Sequence, residues 1–112
     1  MTKFLALYMG SPSPDAAPAP LSDAALAEGM AAWGSWMAQN AVAVLDAGGP
    51  LGRTKKASAD GVSDIRNRVA GYVIVEAESH EAAARMFEGH PHFSIFPGDS
   101  VEIMECLPIP GG

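Results

Sequence analysis

Two short segments that are apolar at every position constrain the fold of this chain more than any other feature. Residues 4–9 read FLALYM and residues 72–75 read YVIV. Successive side chains of a strand point to opposite faces of a sheet, so a strand of this composition needs cover on both faces. The sequence therefore predicts two central strands in a sheet that is buried on both sides.

The first predicted helix begins at Ser22, a residue type that caps helix N-termini well. Its apolar residues recur at steps of three and four, which is typical of an amphipathic helix. This stripe consists of Leu26, Met30, Trp33, Met37, Ala41 and Val44. Asn40 and the β-branched residues after it indicate a change to extended chain before the Gly-Gly-Pro sequence at 48–50.

The second predicted helix is shorter and begins at Ser79, again an N-cap residue. Glu81 and Arg85 stand four residues apart, the spacing of an ion pair on a helix surface. Gly89 and Pro91 are expected to end this helix, because both disfavour its continuation.

Three further segments complete the organisation of the chain. Residues 53–59 and 62–65 flank an Asp-Gly pair at 60–61, which predicts a polar β-hairpin. Residues 101–105 alternate well enough for a final strand. Residues 11–20 contain four of the nine prolines and are expected to form an extended surface loop.

The order strand, helix, strand hairpin, helix, strand predicts an α+β protein, with residues 1–112 forming one domain. This is the ferredoxin-like split βαβ arrangement (β-α-β-β-α-β), an antiparallel sheet with both helices on one face. Two helices cover only one face of such a sheet, whereas its central strands are apolar on both. We therefore expect the second face to bind a second copy of the chain, giving a homodimer.

The amino-acid composition limits the possible binding partners of the protein and its cellular compartment. The formal charge of −6 argues against nucleic acids and anionic membranes, which require positive surface. Apolar residues make up 48% of the chain, enough for a core, yet the longest apolar run is too short to span a bilayer. Cys106 is the single cysteine, so no intrachain disulfide can form, and we expect a buried thiol in a cytoplasmic protein.

Several segments together resemble the YCII-related family over nearly the whole chain. They are FLALYM at 4–9, MAAWGSWM at 30–37, the Gly-Pro step at 49–50, GYVIV at 71–75 before EAA at 81–83, GHPH at 89–92 and SVEI at 100–103. The resemblance implies a dimeric α+β barrel in which two ferredoxin-like sheets pair face to face. It also implies a small pocket between each sheet and its helices.

The resemblance also implies site residues. In family members with a known or proposed activity, a histidine on the first helix and an aspartate before the Gly-Pro step act as acid and base. One such member is a dehydrochlorinating lyase of aromatic degradation. Asp46 matches this aspartate, whereas the place of the helix histidine is taken by Ala32, with Trp33 beside it.

Two neighbouring histidines are the candidates to replace the missing one. His90 and His92 flank a proline after the second helix, and imidazole can both accept and donate a proton near neutral pH. Our hypothesis is that one of them, preferably His92, pairs with Asp46. The alternative is a structural role at the helix end. We predict no metal site, because neither His80 nor Glu88 is obviously placed to supply a third ligand.

Four further residues are candidates for binding a substrate. Trp36 lies off the apolar stripe, so it can line an aromatic pocket or pack in the core or the dimer contact. Tyr8 and Tyr72 lie on the two apolar strands and can direct their hydroxyls into the same pocket. Arg68, together with Arg66, is the expected contact for a substrate carboxylate.

These residues leave three hypotheses for function. The first is a cofactor-free lyase or isomerase that uses His/Asp acid–base chemistry on a small molecule, with an aromatic ring as one option. The second is a non-catalytic ligand-binding or accessory module that has lost the catalytic histidine. The third, by analogy with other α+β barrels only, is a monooxygenase.

Overall fold

The computed structural model describes residues 1–10 and 21–110, so the proline-rich loop predicted at 11–20 lies outside the described residues. The elements are β1 (Thr2–Met9), α1 (Asp23–Gln39), β2 (Val44–Pro50), β3 (Thr54–Ser58), β4 (Gly61–Ile65), β5 (Val69–Ala77), α2 (His80–Arg85), α3 (Pro91–Ser94) and β6 (Ser100–Glu105). None of the helices in these ranges combines the length and the hydropathy of a membrane-spanning segment.

The main sheet is antiparallel and has the strand order β2-β5-β1-β6. The two central strands, β1 and β5, contain the two apolar segments of the sequence, as predicted. With α1 after the first strand and α2 after the third, this is the predicted α+β arrangement. The prediction of the fold class is therefore confirmed.

The core lies between the sheet and the two longer helices. Alternate residues of the central strands face the helices, and among them Phe4, Ala6, Val73 and Val75 are almost completely buried. They pack in one cluster with aromatic residues that include Phe87, beside α2. Full burial of a side chain such as Phe4 or Val75 stabilises the fold by about 1.5–3 kcal/mol.

The side of the sheet away from the helices is called here the open face. The residues that alternate with the core positions point to this side, and Leu5, Leu7 and Ile74 on it are half-buried. Residues directly opposite each other in a ladder share a face. The pairings Asp46–Ile74 and Glu102–Leu7 therefore place two exposed carboxylates on the open face as well. The dimer expected at this face stays a prediction.

The hairpin predicted around residues 60–61 is present, but it stands apart from the main sheet. Strands β3 and β4 form a separate two-stranded sheet, joined at Gly61 with a φ of 109°. The second strand of the main sheet is instead β2, which the sequence indicated only as a change to extended chain. Gly48 takes a φ of 63° within β2, where the register against β5 is irregular.

The face that α1 buries differs from the predicted stripe. Leu26 and Met30 are 47% and 62% exposed, whereas Gly29 and Trp36 are buried. The helix is rotated because Gly29 packs against the ring of Phe96, leaving no room for a β-carbon. A hydrophobicity pattern does not register a glycine as a contact position.

Three other local predictions can be compared with the structure. The caps at Ser22 and Ser79 are confirmed, with each hydroxyl accepting the amide proton three residues on. The predicted ion pair between Arg85 and Glu81 forms at 2.7 Å. The expectation of a buried Cys106 is wrong, because this residue follows the last strand and is exposed.

Candidate functional site

Both candidate histidines are held by the short helix α3. His90 is its N-cap, and the ring Nδ1 of His90 accepts the backbone N–H of His92 at 3.0 Å. Pro91 occupies the first helical position, where its fixed φ suits a helix start. The proline thus begins a new helix, and both imidazoles are turned inward: His90 is 0% and His92 8% exposed.

His90 lies in a box of aromatic rings. The centroids of Trp33, Trp36 and Phe87 lie 4.6, 4.8 and 5.8 Å from that of the imidazole. Burial, with a smaller contribution from the neighbouring His92, lowers the pKa of His90 to about 4. At neutral pH the ring of His90 is therefore uncharged.

The hydrogen bonds of His90 determine whether the hydroxyl of its neighbour Tyr8 acts as a hydrogen-bond donor or acceptor. Because Nδ1 accepts a backbone proton, the single proton of the neutral ring resides on Nε2. Nε2 then donates to the hydroxyl oxygen of Tyr8 at 3.4 Å, and the Tyr8 proton is directed elsewhere. Burial raises the pKa of Tyr8, which keeps its hydroxyl protonated. Tyr8 is thus a hydrogen-bond donor.

His92 has one ring nitrogen fixed and one available. Its Nε2 lies 2.7 Å from the carbonyl oxygen of Met9, which can only accept, so Nε2 carries a proton. Gly98 packs directly on the imidazole and donates its N–H to the His92 carbonyl at 2.9 Å. Among the described residues, Nδ1 of His92 has no hydrogen-bond partner. In the neutral ring this nitrogen is a free base.

A cavity of about 500 Å³ opens beside these groups. Its lining residues are Tyr8, Met30, Trp33, Gly34, Ala47, Gly49, Pro50, Ala70, Gly71, Tyr72, His92 and Phe96. The volume lies within the range of small-molecule sites. Aromatic and small apolar side chains form most of the wall, and no Lys, Arg, Asp or Glu is among the described lining residues. The cavity therefore fits a small aromatic ligand with one or two polar groups.

The structure brings together some of the residues selected from the sequence. Tyr8 and His92 line the cavity, with His90 directly behind Tyr8. Tyr72 is also among the lining residues, but its pairing with Leu7 places its side chain on the open face, so its hydroxyl does not join that of Tyr8 as expected. Trp36 is absent from the lining, because its ring packs in the core and its indole N–H donates to the Met86 carbonyl at 2.9 Å.

Arg68 lies outside the cavity lining, at the end of β1. It donates to the Gly10 carbonyl at 3.3 Å and forms an ion pair with Asp99 at 2.9 Å. Its Nε is buried without a hydrogen-bond partner among the described residues. Arg68 therefore braces the chain at the end of this strand, rather than offering a free guanidinium to a ligand in the cavity.

Asp46 does not meet either histidine within the chain. It is exposed on the open face, and its Oδ1 accepts the backbone N–H of Gly48 at 2.9 Å. The imidazoles of His90 and His92 contact Tyr8, which faces the helices on the other side of the sheet. The geometry provides Tyr8, and not Asp46, as the polar partner of this histidine pair.

Three large side chains of the cavity wall are not among the site residues predicted from the sequence. Trp33 and Met30 were interpreted as core positions of α1, and Phe96 was not considered. The Gly98 contact with His92 was also missed. The Trp33 ring lies 4.9 Å from that of Tyr8. In the sequence, the only signal for a role of Trp33 in the site was its three-residue spacing from Trp36. Within residues 1–10 and 21–110, no group of three His, Cys, Asp or Glu side chains is placed to hold a metal ion.

Comparison with known proteins identifies the fold class. No protein-family model matches the chain, and no curated protein matches it. The order and register of the strands define an α+β protein with a four-stranded antiparallel sheet. A solved structure of this class is that of 5-chloro-2-hydroxyhydroquinone dehydrochlorinase from Burkholderia phenoliruptrix AC1100, in complex with 2,5-dihydroxybenzoquinone. The TM-score is 0.54 at 16% identity, over 91% of this chain and 90% of that chain, a similarity that shows a shared fold.

Proposed function

We propose that this protein is a lyase or isomerase that binds a small hydroxylated aromatic molecule in the cavity and moves a proton with His92. The observation that carries the proposal is that His92 lines a mostly apolar cavity and that its Nδ1 has no hydrogen-bond partner among the described residues. Tyr8 supplies a hydrogen-bond donor beside it, since its hydroxyl is protonated and its oxygen already accepts from His90. A base and a donor of this kind are the minimum for acid–base catalysis.

The chemistry follows from the roles of these two groups. His92 Nδ1 accepts the proton of a phenolic hydroxyl, and Tyr8 donates a hydrogen bond to a second ring oxygen, where negative charge develops. With a chlorinated quinol, two hydroxyl protons are lost in all: one proton is delivered to the ring carbon that bears chlorine, and chloride then leaves that carbon with its bonding electron pair as the second proton is removed. The net change is loss of HCl, which converts 5-chloro-2-hydroxyhydroquinone to hydroxybenzoquinone without an external oxidant.

We also propose that the chain belongs to the YCII-related family and acts as a homodimer in the cytoplasm. Support for the family is the fold shared with the dehydrochlorinase and the sequence segments that resemble the family. Support for the dimer is the open face, where Leu5, Leu7 and Ile74 are apolar and only half-buried. The single cysteine is in keeping with a reducing compartment.

The experiment has two parts, one that measures ligand binding and one that measures turnover. Binding of 2,5-dihydroxybenzoquinone is followed by quenching of tryptophan fluorescence, because Trp33 lines the cavity. Turnover of 5-chloro-2-hydroxyhydroquinone is followed by chloride release. We expect His92→Asn and Tyr8→Phe each to lower turnover by about 100-fold or more, the usual range for an acid–base group.

The matched control is His80→Asn, since His80 is an exposed histidine outside the cavity lining, bound to the Ile103 carbonyl at 2.8 Å. It should leave binding and turnover unchanged. If His92→Asn turns over the substrate as fast as the wild-type protein, the assignment of the base is wrong.

A non-catalytic binding module is the second candidate. The observation in its favour is that each candidate imidazole has one nitrogen bonded to a backbone group, His90 to the His92 amide and His92 to the Met9 carbonyl. Fixed rings of this kind also suit a rigid binding wall. The two candidates separate in the experiment above, because a binding module gives fluorescence quenching without chloride release.

A further inference from the structure

Residues 51–67 form an arm that packs almost entirely on itself. Strands β3 and β4 pair with each other and with no strand of the main sheet. Every residue of β4 is exposed, as is every residue of β3 except Thr54. An isolated two-stranded hairpin is at best marginally stable in water. The arm therefore lacks, within the described part of its own chain, the packing that would hold it in place.

The charge of the arm is opposite to that of the rest of the protein. The arm holds four of the seven cationic side chains and only two of the thirteen carboxylates. The remainder of the chain therefore has three cations against eleven carboxylates. Lys55 already pairs with Asp64 at 2.7 Å, whereas Arg53 and Lys56 form no ion pair with any described residue. The arm offers positive charge that its own hairpin does not neutralise.

The open face of the sheet is complementary to the arm in two respects. It carries the exposed carboxylates of Asp46 and Glu102 beside the apolar side chains described above. The arm for its part exposes Val62 at 72% and Ile65 at 37%. A basic element with apolar side chains thus matches an apolar face with acidic positions.

We infer that the arm of one chain docks on the open face of a second copy of this chain, with its cations against the Asp46 and Glu102 carboxylates. The inference rests on the homodimer of the proposed function and specifies what the partner contributes. A nucleic acid is the less favoured occupant, because the arm carries only four cations and the other ninety or so residues are strongly acidic, which repels a polyanion.

The test measures the dimer dissociation constant of the full chain by analytical ultracentrifugation for a matched pair of variants. Lys56→Glu changes the charge of the arm by two units, and Arg85→Glu makes the same change on α2, which is outside both the arm and the open face. We expect Lys56→Glu to weaken the dimer about tenfold or more, because it places like charges together. Arg85→Glu should have a much smaller effect. Circular dichroism checks that both variants are folded.

A charge-swap experiment keeps the inference falsifiable if Lys56→Glu dissociates completely. Mixing Lys56→Glu chains with Glu102→Lys chains should restore a heterodimer, since one of its two arm contacts keeps Lys56 against Glu102 and the other pairs the introduced glutamate with the introduced lysine. If Lys56→Glu and Arg85→Glu weaken the dimer equally, the proposed arm contact is wrong, although the protein is still a dimer. If the protein is a monomer at all concentrations, both the homodimer and the arm contact are wrong. The same holds if a monomer binds an oligonucleotide through the arm. The cavity hypothesis is tested separately by 2,5-dihydroxybenzoquinone binding.

Discussion

Acidification from pH 7 to pH 4 should destabilise this protein through His90. The imidazole is fully buried among aromatic rings, and its pKa is lowered from 6.5 to about 4. In the unfolded chain the ring takes up a proton as the pH falls through 6.5, whereas in the folded protein it does so only near 4. The unfolded state therefore binds more protons over this interval, and the stability decreases as the pH falls.

The size of the effect follows from the difference between the two pKa values. Integrating the proton uptake between pH 7 and pH 4 gives a loss of about 3 kcal/mol of unfolding free energy from His90 alone. This is a large part of the total stability of a small domain, about 5–15 kcal/mol.

The assay compares urea unfolding at pH 7 and pH 4 for the wild-type protein and for His90→Asn. Asparagine keeps the N-cap acceptor for the His92 amide but does not titrate. The variant is less stable at pH 7, yet its loss of stability on acidification should be about 3 kcal/mol smaller than that of the wild-type protein. His90→Gln provides a second non-titrating variant. Equal losses in the wild-type protein and both variants would refute the reasoning.

Two further substitutions test the packing around the site. Gly98→Ala places a β-carbon against the His92 ring and should lower turnover by about 100-fold. The control is Gly52→Ala, whose β-carbon meets open space and should leave turnover unchanged. Equal turnover in the two variants would contradict the role of Gly98. Trp36→Phe removes the indole N–H that binds the Met86 carbonyl and should cost about 1 kcal/mol in urea unfolding while leaving ligand binding intact. Loss of ligand binding in Trp36→Phe would show that this ring contributes to the cavity.

The central part of the fold was predictable because few structures can bury the two apolar segments. A strand that is apolar on both faces belongs in the middle of a sheet, and β1 and β5 are found there. The face of α1 was not predictable, because the position in closest contact with Phe96 is Gly29, which adds nothing to a hydrophobic stripe. The separation of the hairpin from the main sheet also depends on tertiary pairing, which the turn sequence does not encode.

The candidate site was predictable in its residue types but not in its geometry. The sequence selected His90, His92 and Tyr8, which are brought together by the pairing of distant segments. The orientation of Asp46 depends on strand register, and a shift of one residue turns a side chain to the other face. The tautomer of His92 is set by the carbonyl of Met9, eighty-three residues away in sequence. Only the folded chain contains that information.

The most direct test of the site is the ¹⁵N NMR spectrum of the histidine rings, recorded with and without 2,5-dihydroxybenzoquinone. We predict that neutral His92 is protonated at Nε2, hydrogen-bonded to Met9, and has a bare Nδ1 whose chemical shift moves when the ligand binds. A proton on Nδ1 in the free protein, or an Nδ1 signal unchanged at saturating ligand, would contradict the assignment of His92 as the base in the cavity.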